Sequence, residues 1–185
     1  MHQDGARTMA RYNAWMNRKL ISKAQDMGLE RIEQDQKAFF GSIATTFQHI
    51  MIGDLVWLRR YAEAPFFQRL TSVLLNFPEP KSLHERIFSS WHAYTEARTR
   101  LDDILINFAD SLTAEELATE LEFRTMKGDV YRTPLWQLLT HLFNHQTHHR
   151  GQITTLMMQQ GFDPGVTDLV AMLREAPLPS RSEAL

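Results

Sequence analysis

The stretch from Pro134 to Gln152, PLWQLLTHLFNHQTHHRGQ, constrains this chain more than any other. It carries four of the 8 histidines: His141, His145, His148 and His149. Pro134 can open a helix at its first turn, where the missing N–H costs nothing. Leu135, Leu138, Leu139, Leu142 and Phe143 then recur at helical spacing, and the pattern resumes at Ile153, Leu156 and Met157. This predicts one long helix from about Pro134 to about Gly161.

Project that helix with His141 at zero, and His145 falls at roughly 40° and His149 at roughly 80°. Gln152 lies at roughly 20° and His148 at roughly 340°. The stripe of Leu135, Leu138, Leu142, Ile153 and Leu156 centres at roughly 100°. His149 is therefore expected in the buried face, with His145 beside it. His141 falls on the margin, and His148 leans toward solvent. Arg150 projects to the opposite side and reads as a surface or partner contact. Two histidines four apart on a buried helical face can ligate one metal ion. Each alone can equally be a core residue hydrogen-bonded to a neighbour. Spacing leaves both readings open, although two imidazoles buried at adjacent turns without a common partner are costly.

Composition narrows the function classes. The 185 residues give room for one domain with a substantial core. A formal net charge of −2, with no basic block, makes no case for nucleic-acid binding. The absence of cysteine removes disulfides, thiolate ligands and a cysteine nucleophile together. No apolar run approaches the ~20 residues of a membrane span. Met1 to Met9 is polar and lacks the apolar segment of a signal peptide, so a cytoplasmic protein is expected. The 11 Phe, 4 Trp and 9 Met point to a well-filled, adaptable core.

A first helix is expected over about Gly5 to Met27, from Met9, Tyr12, Trp15, Met16, Leu20 and Ile21, with Gly28 as its stop. Asn13 and Asn17 share one face of it and read as solvated polar residues. Leu29 to Phe40 reads as a connection. Ser42 is the N-cap of a second helix reaching about Tyr61, which contains His49. Gly53, one turn after His49 on the same face, leaves space above that histidine or permits a close helix contact. Ala62 to Lys81, with Pro65, Pro78 and Pro80, reads as an apolar loop that could cover a cavity or form a subunit contact. Ser82 and Glu85 have capping-box spacing and open a third helix to about Phe108, with His84 and His92 as ordinary surface or flank residues. Thr113 and Glu116 cap a short acidic helix. Leu121 to Thr133 reads as a small β-hairpin with Lys127 and Gly128 at its tip. After Gly161, Pro164 and Gly165 break the chain before a last short helix from Thr167 to about Arg174. Residues 1–176 read as one domain, and 177–185 as a disordered tail.

Four main helices and one hairpin suggest an all-α bundle, whose interior suits ligands donated by facing helices. Carboxylate di-metal sites need Glu-x-x-His pairs, yet no acidic residue lies between Pro134 and Gln160. There is no His-Glu-x-x-His motif, no phosphate-binding glycine loop and no nucleophile elbow. A neutral, all-histidine site survives this elimination.

The chain resembles the DinB family. The resemblance is carried by Tyr12-Asn13-Ala-Trp15-Met-Asn17, by the His49 helix, by Asn144-His145-Gln-Thr-His148-His149-Arg150-Gly151-Gln152, and by Pro164-Gly-Val-Thr-Asp168-Leu. It covers nearly the whole chain. It implies an up-down-down-up four-helix bundle, usually dimeric. It also implies a divalent metal ion, zinc or nickel, held by His49, His145 and His149; the helical projection selects the last two independently. His148 is no ligand in this pattern, and His141 at most supports one. Related members of the wider DinB/YfiT-like superfamily transfer small thiols such as bacillithiol, mycothiol or glutathione, and others are maleylpyruvate isomerases.

Two functional readings follow. In the first, the chain is a metal-dependent enzyme whose open coordination positions activate a low-molecular-weight thiol or a water, with Gln152, Asn13 and Asn17 as polar neighbours. In the second, it is a non-catalytic, stress-associated dimer in which the metal ties helices together. A structural zinc site is closed by a fourth protein ligand, whereas a catalytic one keeps a position open. His141 is the nearest candidate for that fourth ligand in sequence.

Overall fold

The computed structural model describes residues 1–125 and 128–175. These are mostly helical, with one small antiparallel sheet. The expected tail at 177–185 and the Lys127 side of the hairpin tip lie outside the described residues.

Four long helices dominate: α1 (Gln3–Met27), α3 (Ile43–Ala62), α5 (Trp91–Ser111) and α7 (Leu135–Gln159). Shorter helices are α2 (Leu29–Glu33), α4 (Arg69–Leu74), α6 (Ala114–Ala118) and α8 (Leu169–Glu175). Helix α1 packs on α5, α3 packs on α7, and α1 also meets α7. No helix among the described residues is long and apolar enough to cross a membrane.

Local chemistry sets the boundaries. Gly28, at φ 84°, stops α1 in a conformation that favours glycine. Ser42 caps α3: its Oγ accepts from Thr45 N, while Ser42 N donates to Thr45 Oγ1. Thr113 and Glu116 form the same reciprocal box at α6. The hairpin pairs β1 (Glu120–Arg124) with β2 (Val130–Pro134) in the register Leu121↔Thr133 and Phe123↔Tyr131. β2 runs directly into α7, and Leu135 N donates to Thr119 O. The hairpin is thereby fixed to the start of the histidine helix, with Phe123 edge-on to Trp57 of α3.

Three expectations about elements need correction. The helix expected from Ser82 begins at Trp91, capped by Ser90. Residues 82–90 form no helix: Gln48 of α3 grips Phe88 through both backbone groups, its Nε2 donating to Phe88 O and its Oε1 accepting from Phe88 N. The expected apolar loop after α3 contains a single 3-10 turn at Pro65–Phe67 and then α4, with Phe67, Leu70 and Leu74 buried. Leu29 to Glu33, read as connection, is the short helix α2, held through buried Ile32.

Asn13 and Asn17 are not solvated: each is 1% exposed, and both donate to Asp102 of α5. Arg150 is not a surface residue either, at 2% exposed. The buried arc of α7 is wider than the five-residue stripe suggested. It also takes in Leu139, Phe143, Gln146 and Met157, and Arg150 lies near its far edge, facing α1.

A candidate three-histidine metal centre

Residues His145 and His149, one helical turn apart on α7, face His49 on α3. Their Nε2 atoms form a nearly equilateral triangle: 3.2 Å from His49 to each of the other two, and 3.1 Å between His145 and His149. Imidazoles ligating one ion at about 2.0–2.1 Å in a tetrahedral arrangement place their nitrogens roughly 3.3 Å apart. The observed spacing suits one shared ion. Among the described residues, these three are the group of histidine, aspartate or glutamate side chains close enough to hold a metal.

The far side of two rings is fixed. His49 Nδ1 lies 2.9 Å from Leu83 O, and His149 Nδ1 lies 2.8 Å from Gln152 Oε1. Both partners can only accept, so each Nδ1 carries the proton and donates it. That tautomer leaves both Nε2 lone pairs aimed at the centre of the triangle. Nearby groups thus point the rings inward even though the three nitrogens cannot all satisfy one another, since one Nε2–H on His145 serves a single partner.

Electrostatics keep the rings neutral. Burial lowers the pKa of His49, an effect that Leu83 O opposes and His84 reinforces. Burial likewise lowers His149, against the Gln152 hydrogen bond. His145 is pushed down to about 3, first by burial and then by His149 and His49. Neutral imidazole is the form that ligates a metal, and all three hold it at neutral pH.

Aromatic neighbours shape the surroundings. The turn at 36–41, closed by the Ala38↔Gly41 bridge, lays Phe40 flat over the His49 ring at 3.9 Å and edge-on to His149 at 5.4 Å. On the other flank stand His141, 6.0 Å from His145 between ring centroids, and Trp57, 5.2 Å from His141. The space freed by Gly53 is filled by the His145 ring rather than lying open above His49. This is the close helix contact of the two readings.

Of the residues singled out by sequence, His49, His145 and His149 converge, and Gln152 joins them through His149. His141 and His148 are exposed and stand outside the triangle, as expected. Asn13 and Asn17 contact Asp102 instead of the imidazoles. Sequence reasoning missed two participants. Leu83 acts through its backbone carbonyl, which no side-chain pattern signals. Phe40 ends a polar stretch with no periodicity of its own.

Comparison with known proteins supports the family resemblance seen in the sequence. The family described as DinB family matches over residues 1–182. Protein DinB of Bacillus subtilis (strain 168) is 26% identical over 167 residues, covering 89% of this chain and 91% of the relative. No solved structure matches.

Proposed function

This chain belongs to the DinB family, and from that premise we propose that it is a metal-dependent enzyme of small-molecule chemistry. His49, His145 and His149 would hold one divalent ion, zinc or nickel, within an up-down-down-up four-helix bundle that works as a cytoplasmic homodimer. The observation that carries this reading is the 3.1–3.2 Å triangle of inward-facing Nε2 atoms, with no fourth His, Asp or Glu donor atom grouped with them among the described residues. A site of three protein ligands leaves room for a further ligand, which supports catalysis over a closed structural role.

When bound, the ion would polarise a water or a low-molecular-weight thiol toward its nucleophilic form at neutral pH. The chain's own residues do the rest. Leu83 O and Gln152 Oε1 hold two rings in the ligating tautomer. Phe40 covers the His49 face and excludes water there. The ligand set contributes no negative charge, so an anionic substrate group is favoured at the open positions.

The test pairs metal analysis with an activity assay. Purified protein is expected to carry about one divalent ion per chain, and His49→Ala or His149→Ala to carry almost none while keeping its helical circular dichroism. Thiol-transferase assays with several small thiols, run on metal-loaded and metal-stripped protein, should show metal-dependent turnover. Full metal occupancy in either variant would overturn the ligand assignment. Metal-independent rates with every thiol, and no metal-dependent hydrolysis, would favour the non-catalytic dimer.

A further inference from the structure

Next in sequence to His145 and His149, Gln146 and Arg150 belong to a closed polar ring drawn from four helices. Arg98 NH1 of α5 donates to Asp54 Oδ2 of α3 at 2.6 Å, and its NH2 pairs with Asp102 Oδ1 at 2.9 Å. Asp102 accepts from Asn13 of α1, whose Oδ1 in turn accepts from Arg150 NH1 of α7. Arg150 NH1 also donates to Gln146 Oε1 at 3.4 Å, and Gln146 Nε2 donates to Asp54 Oδ1, closing the ring. Every member is at most 4% exposed. Two aspartates face two arginines, so the ring is formally neutral. Burial works to lower the Arg98 pKa, but the Asp102 and Asp54 carboxylates outweigh it and hold the guanidinium charged.

We propose that this ring sets the register of α7 against α3 and thereby the spacing of the metal-binding triangle, with Gln146 as the positioning residue for His145. The inference rests on the metal reading above. Stability alone gives no reason to bury such a ring: well-packed apolar residues in place of buried ion pairs are often as stable or more so. What apolar packing lacks is a fixed register. Gln146 follows His145, Arg150 follows His149, and Asp54 follows Gly53, whose bare Cα abuts the His145 ring. The bond from Gln146 to Asp54 is thus the α3–α7 tie nearest to the point where His145 meets α3. On a helix, fixing one residue fixes the direction of the next at roughly 100°. The Gln146 amide cannot turn over, because its oxygen serves Arg150 and its nitrogen serves Asp54. Metal affinity depends on ligand placement to within about 0.5 Å, so the tie matters more to the ion than to the fold.

The test compares Gln146→Met with Arg98→Lys, which lies in the half of the ring away from α7. Affinity for Co(II) is measured by chelator competition, its absorption spectrum is recorded, and the thermal midpoint of the metal-free protein is taken alongside. Gln146→Met should lose about tenfold or more in affinity, with a changed Co(II) spectrum. That loss should exceed the loss in Arg98→Lys, whatever either does to the midpoint. Gln146→Asn, whose amide falls one methylene short, should lose affinity in the same direction and supplies the comparison if the methionine variant does not fold. Affinity within twofold of the parent with an unmoved spectrum, or an equal loss in Arg98→Lys, overturns the positioning role. A parent protein that binds no Co(II) overturns instead the metal reading beneath it.

Discussion

The imidazole of His145 lies against the bare Cα of Gly53, where a Cβ would stand 2.9 Å from the ring's Cε1 and 3.2 Å from its Nδ1. Gly53→Ala must therefore displace the ring, while alanine favours the helix by about 1 kcal/mol over glycine. The expected outcome is a metal-free protein at least as thermally stable as the parent, with metal affinity lower by about tenfold. Thermal melts and chelator competition on the same preparation check both halves. Unchanged affinity would show that the ring does not need that space.

Gln152 should matter through its oxygen. Gln152→Ala removes the acceptor for His149 Nδ1–H and is expected to weaken metal binding by about 10–100-fold. Gln152→Glu keeps an acceptor at that position and should retain most of the affinity. If both variants bind as the parent does, the His149 tautomer is set by something else.

The metal-free protein should lose stability in acid. In the folded chain the His145 pKa is lowered to about 3, whereas an unfolded histidine titrates near about 6.5. A folded value below the unfolded one means that the unfolded chain takes up more protons as pH falls. The contribution is fully present above about pH 6.5 and drains away toward pH 3, at up to about 1.4 kcal/mol per pH unit for one proton. His49 and His149 shift in the same direction and add to the effect. Thermal midpoints across pH 7.5 to 4 should fall more steeply for the parent than for His145→Ala. Parallel curves would contradict this account.

Ser42→Ala removes one half of the α3 capping box. A loss of about 1 kcal/mol in unfolding free energy is expected from denaturant titration. Metal stoichiometry at saturation should stay unchanged, because His49 lies nearly two turns further along the helix. A loss of metal from this variant would mean that the start of α3 is coupled to the triangle.

The long helices were legible because their apolar spacing and caps are local signals. Ser42, Thr113 and Gly28 all act where a capping argument puts them. The start of α5 was misread because Ser82–Glu85 and Ser90 offer similar local signals, and the choice between them is made by Gln48, about forty residues away. The His145 and His149 pair was legible from helical spacing. His49 entered through family resemblance, since a single histidine in a helix carries no pattern. The buried ring was hidden because polar residues read singly look solvated. Its trace was nevertheless present: Asn13 and Asn17 on α1, and Arg98 and Asp102 on α5, are polar pairs four apart.

Along α7, ring members and imidazoles alternate as neighbours at 145–146 and 149–150, so one short segment serves two interfaces in strict phase. Deleting or inserting a single residue between them would rotate everything downstream by roughly 100°. Neither set of downstream side chains would then meet its own interface. This segment cannot change length without parting the two sets; length variation between related chains should be confined to the connections that flank the long helices.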